Sequence, residues 1–221
     1  MVNRPRRTRT RIRTGVALVL TGAFLMTGCA EVGSPAPTGA ALVEAAEANY
    51  LRYRGFLNEL QSTLSTAPWE IGQIGSYGMQ PRSCNDDAGY SFDISRSIML
   101  DPADITENVS TVTAALRDAG MSPKERTLGE DDNPGQLVQV GVRDEGDFAM
   151  LLIEFETDGR VLLTADTLCW PGDAKELRAA IFGDVYLSEG YLPTDVEAPT
   201  DPLFFGITPG DPQFVRDNAD T

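Results

Sequence analysis

Three carboxylates, Glu154, Glu156 and Asp166, have the types and spacing that could support acid–base chemistry. They lie in two apolar runs, LLIEFE and RVLLTAD, separated by a Thr-Asp-Gly turn. Carboxylate pairs hydrolyse glycosides when one is protonated, the other ionised and their separation suits the sugar. Yet Glu154 and Glu156 are two residues apart and share one face of a strand, as on any solvated sheet face. Asn85-Asp86-Asp87 and Glu130-Asp131-Asp132-Asn133 offer oxygens of the kind calcium takes, but neither has the spacing of a calcium loop. Both fall where turns favour Asp and Asn. The sequence has no histidine, which excludes Ser–His–Asp and Cys–His catalysis. Lys124 and Lys175 are the only lysines and belong to no Ser–Lys motif, and no glycine-rich phosphate loop appears. No catalytic residue and no cofactor is assigned.

The sharpest signal is an address. Arg4, Arg6, Arg7, Arg9, Arg11 and Arg13 precede the apolar run Gly15 to Met26. A basic segment followed by about 7–15 apolar residues is the pattern of an export signal. The run is too short for a permanent span, which takes about 20 residues. It ends Leu25-Met26-Thr27-Gly28-Cys29. This resembles the lipobox of bacterial lipoproteins, with Met26 where Leu is usual. The resemblance implies that Cys29 receives a diacylglycerol group and becomes the first residue after residues 1–28 are removed. Each buried CH₂ of such a chain contributes about 0.8 kcal/mol, so two chains anchor firmly. The alternatives are a plain secretory signal with an incidental cysteine and an uncleaved anchor. Arg6-Arg7 hints at twin-arginine export, but the hydrophobic residues that usually follow that pair are absent.

Removing 1–28 takes six of the 18 basic residues and none of the 33 acidic ones, leaving 193 residues at formal charge −21 against −15 for the whole chain. Phosphates repel so acidic a body, which argues against nucleic acid as a partner and leaves membrane attachment to the lipid. With Cys29 acylated, only Cys84 and Cys169 remain, so a zinc site of the usual His or Cys type is excluded. In an oxidising compartment such a pair reads as a structural disulfide, with two separate buried thiols as the alternative.

The elements that must position these residues follow from periodicity. Residues 29–39 read as a flexible tether, 40–192 as one domain, and 193–221 as an irregular tail rich in Pro and Asp. A long helix over 40–64 carries Val43, Ala46, Tyr50, Tyr53, Leu57, Leu60 and Leu64 on one stripe. Trp69-Glu70-Ile71 begins a short strand, 72–87 is loop, and Tyr90, Phe92 and Ile94 alternate in a strand running to about Leu100. Asp101-Pro102-Ala103-Asp104 starts a helix with the stripe Ile105, Val109, Val112 and Leu116, and Gly120 ends it. Strands follow at about 124–128, 136–142, 148–157 and 160–169, with Asp158-Gly159 a hairpin signal, and then a helix at about 173–182. This order predicts an α+β fold: an antiparallel sheet with helices packed on one face and one disulfide. Phe204, Phe205 and Phe214 either dock back onto the body or bind something.

These pieces together, with VSTVTAALRDAGM (109–121) and LLIEFETDGRVLLTADTLC (151–169), resemble the LppA-like lipoproteins of mycobacteria and related actinobacteria. The likeness runs from Cys29 to about Leu177 and rests on order and spacing. It implies an exported, membrane-tethered domain with a Cys84–Cys169 bridge, and it carries over no activity. The expected function is a non-enzymatic envelope module on the extracytoplasmic face of the cell membrane, engaging an envelope protein, a lipid or a cell-wall component. The alternatives are a carboxylate hydrolase of envelope glycans and a carrier with a cavity beneath the long helix.

Overall fold

The computed structural model describes residues 35–71, 78–129, 135–183 and 196–206. The chain divides into residues 1–35 and 36–221, and the fold described belongs to the second unit. Cys29, the export signal, the acidic stretch 130–133 and Phe214 lie outside the described residues.

Thr38 precedes helix α1 (Gly39–Leu64), and Pro68 follows its end. Its buried face is Leu42, Ala46, Tyr50, Tyr53, Leu57 and Leu60, joined by Arg54, Asn58 and Gln61. Val43 and Leu64, expected on the stripe, are half-buried at its margin. Each fully buried Leu or aromatic ring contributes roughly 1.5–3 kcal/mol, so this face fixes the helix on the body.

Strands β1 (Trp69–Ile71), β4 (Asp93–Met99), β5 (Lys124–Leu128), β6 (Leu137–Glu145), β7 (Phe148–Glu156), β8 (Arg160–Thr167) and β10 (Val196–Glu197) form one antiparallel sheet in the order β10-β1-β4-β8-β7-β6-β5. Strands β2 (Arg82–Cys84), β3 (Gly89–Ser91) and β9 (Trp170–Pro171) form a second, three-stranded sheet. The strand expected from Tyr90 to Leu100 is therefore two strands. The chain leaves one sheet at Ser91 and enters the other at Asp93, while Phe92 donates its N–H to the Thr167 hydroxyl at 2.9 Å. The stretch 72–87, expected as loop, contains β2. The turn from β2 to β3 holds Asn85, Asp86 and Asp87 at φ of 51°, 54° and 67°. Asn and Asp tolerate that left-handed region, so turn geometry accounts for this oxygen-rich stretch.

Asp101 accepts from the Ala103 N–H at 2.9 Å and opens a 3₁₀ turn (Pro102–Asp104) that runs into α2 (Ile105–Asp118). Asp173 caps α3 (Ala174–Phe182) by accepting from Lys175 and Glu176 N–H. Gly159 (φ 94°) closes the β7–β8 hairpin where Leu100 crosses it; a Cβ there would lie 2.2 Å from the Leu100 carbonyl oxygen.

Helices α1 and α2 pack on one face of the large sheet, and α3 packs on α1 and the small sheet. Ile94, Val140, Leu151, Ile153, Phe155, Val161, Leu163 and Ala165 point toward them and form one core with the α1 stripe. Tyr53 stacks on Phe92 with ring centroids 5.7 Å apart, and Tyr50 and Phe205 approach to 5.2 Å. These rings fill the space beneath α1 where a carrier would need its cavity. They also show Phe205 docked onto the body from the segment expected to be irregular. The Cys84–Cys169 disulfide ties β2 to the β8–β9 junction, with Cα atoms 6.0 Å apart. Gly89 makes room for it: a Cβ there would lie 2.4 Å from Cys169 Sγ.

Candidate functional site

Among the described residues, no helix covers the opposite face of the large sheet. Antiparallel register sets its side chains in cross-strand rows. One row runs Arg143, Met150, Asp166, Asp93; the next Lys124, Gly141, Leu152, Thr164, Ser95; the third Arg126, Gln139, Glu154, Leu162, Ser97. Most of these residues are half-buried, while the three cations are exposed.

Glycine is unfavourable in a strand interior and often marks a close approach. At Gly141, the centre of the cationic end, Leu152 leans across the missing side chain; a Cβ would lie 3.1 Å from Leu152 Cδ1. The result is a concavity of about 300 Å³ whose floor is Gly141, Met150 and Leu152 and whose walls include Lys124, Arg126, Arg143, Gln139 and Glu145.

The acids nearest the hollow have other partners. Glu145 accepts from the Ser122 N–H at 2.5 Å, Glu154 from Gln139 Nε2 at 2.6 Å, and Glu125, on the helix side of β5, from the Thr113 hydroxyl at 2.9 Å. Among the described residues no carboxylate comes within ion-pairing distance of Lys124, Arg126 or Arg143.

The sequence-predicted carboxylates all lie on this face, but none lines the hollow. Glu154 stands opposite Leu162 and Asp166 opposite Met150. That places them four positions apart along the strands, roughly 13 Å, beyond the ~5–10 Å a glycosidase pair spans. Glu156 faces Arg160 at 4.0 Å. Asp166 instead sits directly opposite Asp93. Burial pushes the Asp93 carboxyl up, Arg82 at 3.3 Å opposes that, and Asp166 adds to the rise. The described residues contain no group of three or more acidic, Cys or His side chains placed to hold a metal, and no helix long and apolar enough to cross a membrane.

A second charged constellation escapes the sequence reading. Arg54 on α1 and Arg96 on β4 are each 1% exposed and share one carboxylate, Glu197 on β10. Arg54 Nη2 donates to Glu197 Oε1 at 2.5 Å, and Arg96 donates to Oε2 through Nη2 at 2.5 Å and Nε at 3.0 Å. Arg54 Nε and Nη1 are buried without a hydrogen-bond partner. Burial alone would raise the Glu197 carboxyl; the two guanidinium groups more than offset it and hold it below the ordinary glutamate range. Arg96 was visible as a charged residue at the inward position after Tyr90, Phe92 and Ile94. Its partner lies 101 residues away. The cluster sits under α1, where it fastens the two-residue strand β10 to the sheet.

Comparison with protein families, curated proteins and solved structures finds no match for this chain.

Proposed function

We propose that this protein is an extracytoplasmic lipoprotein, tethered to the cell membrane by acyl chains on Cys29, whose uncovered sheet face binds a ligand without transforming it. The Leu25–Cys29 pattern behind an arginine-rich, apolar leader supports the anchor. The proposal includes kinship with the LppA-like lipoproteins, on the order and spacing of the motifs. One observation supports the binding role above others: helices cover one face of the antiparallel sheet, and the other holds, at its β5–β6 end, a concave, partly apolar hollow lined by three cations in a body that is otherwise acidic. Proteins place adaptable binding surfaces on such rigid scaffolds. Against hydrolysis stand the absence of Glu154, Glu156 and Asp166 from the hollow, the separation of Glu154 from Asp166, and the engagement of Glu154 by Gln139 and of Glu156 by Arg160.

Site-specific photocrosslinking in intact cells tests this reading. A crosslinker at position 139, on the open face, should yield envelope adducts. One at position 47, on the exposed side of α1, should not, and Cys29→Ala should abolish the position-139 adducts. Equal labelling from both positions, or adducts that survive Cys29→Ala, would overturn it.

A further inference from the structure

We propose that the hollow over Gly141 is an anion site that takes a phosphate group between Lys124, Arg126 and Arg143. The proposal rests on reading the open sheet face as the ligand surface, and it names the chemistry of the ligand. After loss of 1–28 the chain has 12 basic residues against 33 acidic ones, yet three of the 12 line this one concavity. Lys124 and Arg126 are two apart on one face of β5, and Arg143 is the diagonal neighbour of Lys124 across β6. Diagonal neighbours in a sheet stand about 7–8 Å apart and like charges so placed repel. Among the described residues no carboxylate pairs directly with these three cations to offset that repulsion; Glu145, in the wall, and Glu154 accept from the Ser122 N–H and Gln139 Nε2 instead. A ligand anion would offset it.

Charges also guard an edge strand against pairing with another chain. That explains Lys124 and Arg126 on β5, the sheet edge, but neither Arg143 one strand in nor the glycine that opens the hollow. Guanidinium and ammonium groups on long side chains that line one hollow match the oxygens of a phosphate. Met150 and Leu152 beside them provide an apolar floor for whatever carries it.

Two sources present this chemistry: soluble phosphate and the headgroup of an anionic lipid. The test uses the lipidated protein in phosphatidylcholine nanodiscs, with backbone amide shifts of residues 139–143 and 150–152 as the readout. One arm adds inorganic phosphate; the other replaces part of the lipid with phosphatidylglycerol. At least one arm should give saturable, salt-sensitive shifts. Arg126→Glu and Arg143→Glu should each weaken the response about tenfold or more, as loss of a charge-assisted hydrogen bond does. Lys175→Glu changes the net charge equally on exposed α3 and should leave it within about twofold. A response to phosphate identifies a soluble ligand, and one confined to phosphatidylglycerol identifies a headgroup. No saturable shift in either arm, or equal losses in all three variants, would overturn the site. Crosslinks that still map to position 139 after such a result would leave the binding-face reading intact and remove only its anionic chemistry.

Discussion

Replacing Glu197 by Gln removes the one full negative charge between two guanidinium groups that are each 1% exposed. Three charge-assisted hydrogen bonds end on that carboxylate. Each contributes about 1.5–3 kcal/mol where water is excluded, and breaking a buried pair from one side costs about 3–5 kcal/mol. The Glu197 side chain is 20% exposed and Gln keeps one acceptor oxygen, which places the loss near the lower end, about 3 kcal/mol. For a domain of this size that lowers Tm by roughly 6–12 °C. Chemical unfolding with and without the substitution measures it. Because β10 pairs with Trp69 and Glu70, amide exchange along β1 should accelerate in the same variant. A loss under about 1 kcal/mol, the value of an exposed pair, would refute the argument that the cluster is dry and mutually dependent. A triple replacement, Arg54→Met, Arg96→Met and Glu197→Leu, should cost less than Glu197→Gln alone, since it leaves no charge stranded.

Acid should weaken the wild type through the same carboxyl. Its pKa is depressed in the fold, so the stability it contributes is present above about 4.3, the unfolded value, and is lost as pH falls through the folded value; Glu197→Gln should show a shallower acid limb in unfolding measured from pH about 5 downward. Reducing the Cys84–Cys169 bridge opens a loop of 85 residues, and its loss should cost about 4–5 kcal/mol, read as a drop in Tm on adding reductant. Gly89→Ala would put a methyl 2.4 Å from Cys169 Sγ and 2.8 Å from the Trp170 carbonyl; it should destabilise by about 1–3 kcal/mol and slow thiol oxidation, measured by unfolding and by free-thiol titration.

Much of the scaffold was legible because local chemistry and tertiary packing agree. Pro68 beyond α1, Asp101-Pro102 ahead of α2, Asp158-Gly159 between β7 and β8, and the alternation of β7 and β8 each name an element, and each element is there. The pairing of Cys84 with Cys169 followed from cysteine arithmetic and compartment. Three features were less legible. The break at Phe92 carries no Gly or Pro, because a hydrogen bond to Thr167, 75 residues on, redirects the chain. Arg54 carries no mark of its burial, since arginine is generally exposed, Arg96 is marked only by its place in the alternation after Ile94, and the glutamate that permits their burial lies in a stretch whose Pro and Asp content reads as irregular. The cationic hollow depends on Lys124 lying opposite Gly141. That register belongs to the pairing of β5 with β6, while the sequence alone shows only two short alternating runs.

The proposed tether requires that the chain begin at Cys29 and that this cysteine carry acyl chains. Intact-mass measurement of the protein purified from the cell envelope tests this directly. The expected product lacks residues 1–28 and carries a diacylglycerol adduct on Cys29. A product that retains residues 1–28, or one that begins elsewhere with Cys29 unmodified, would contradict it.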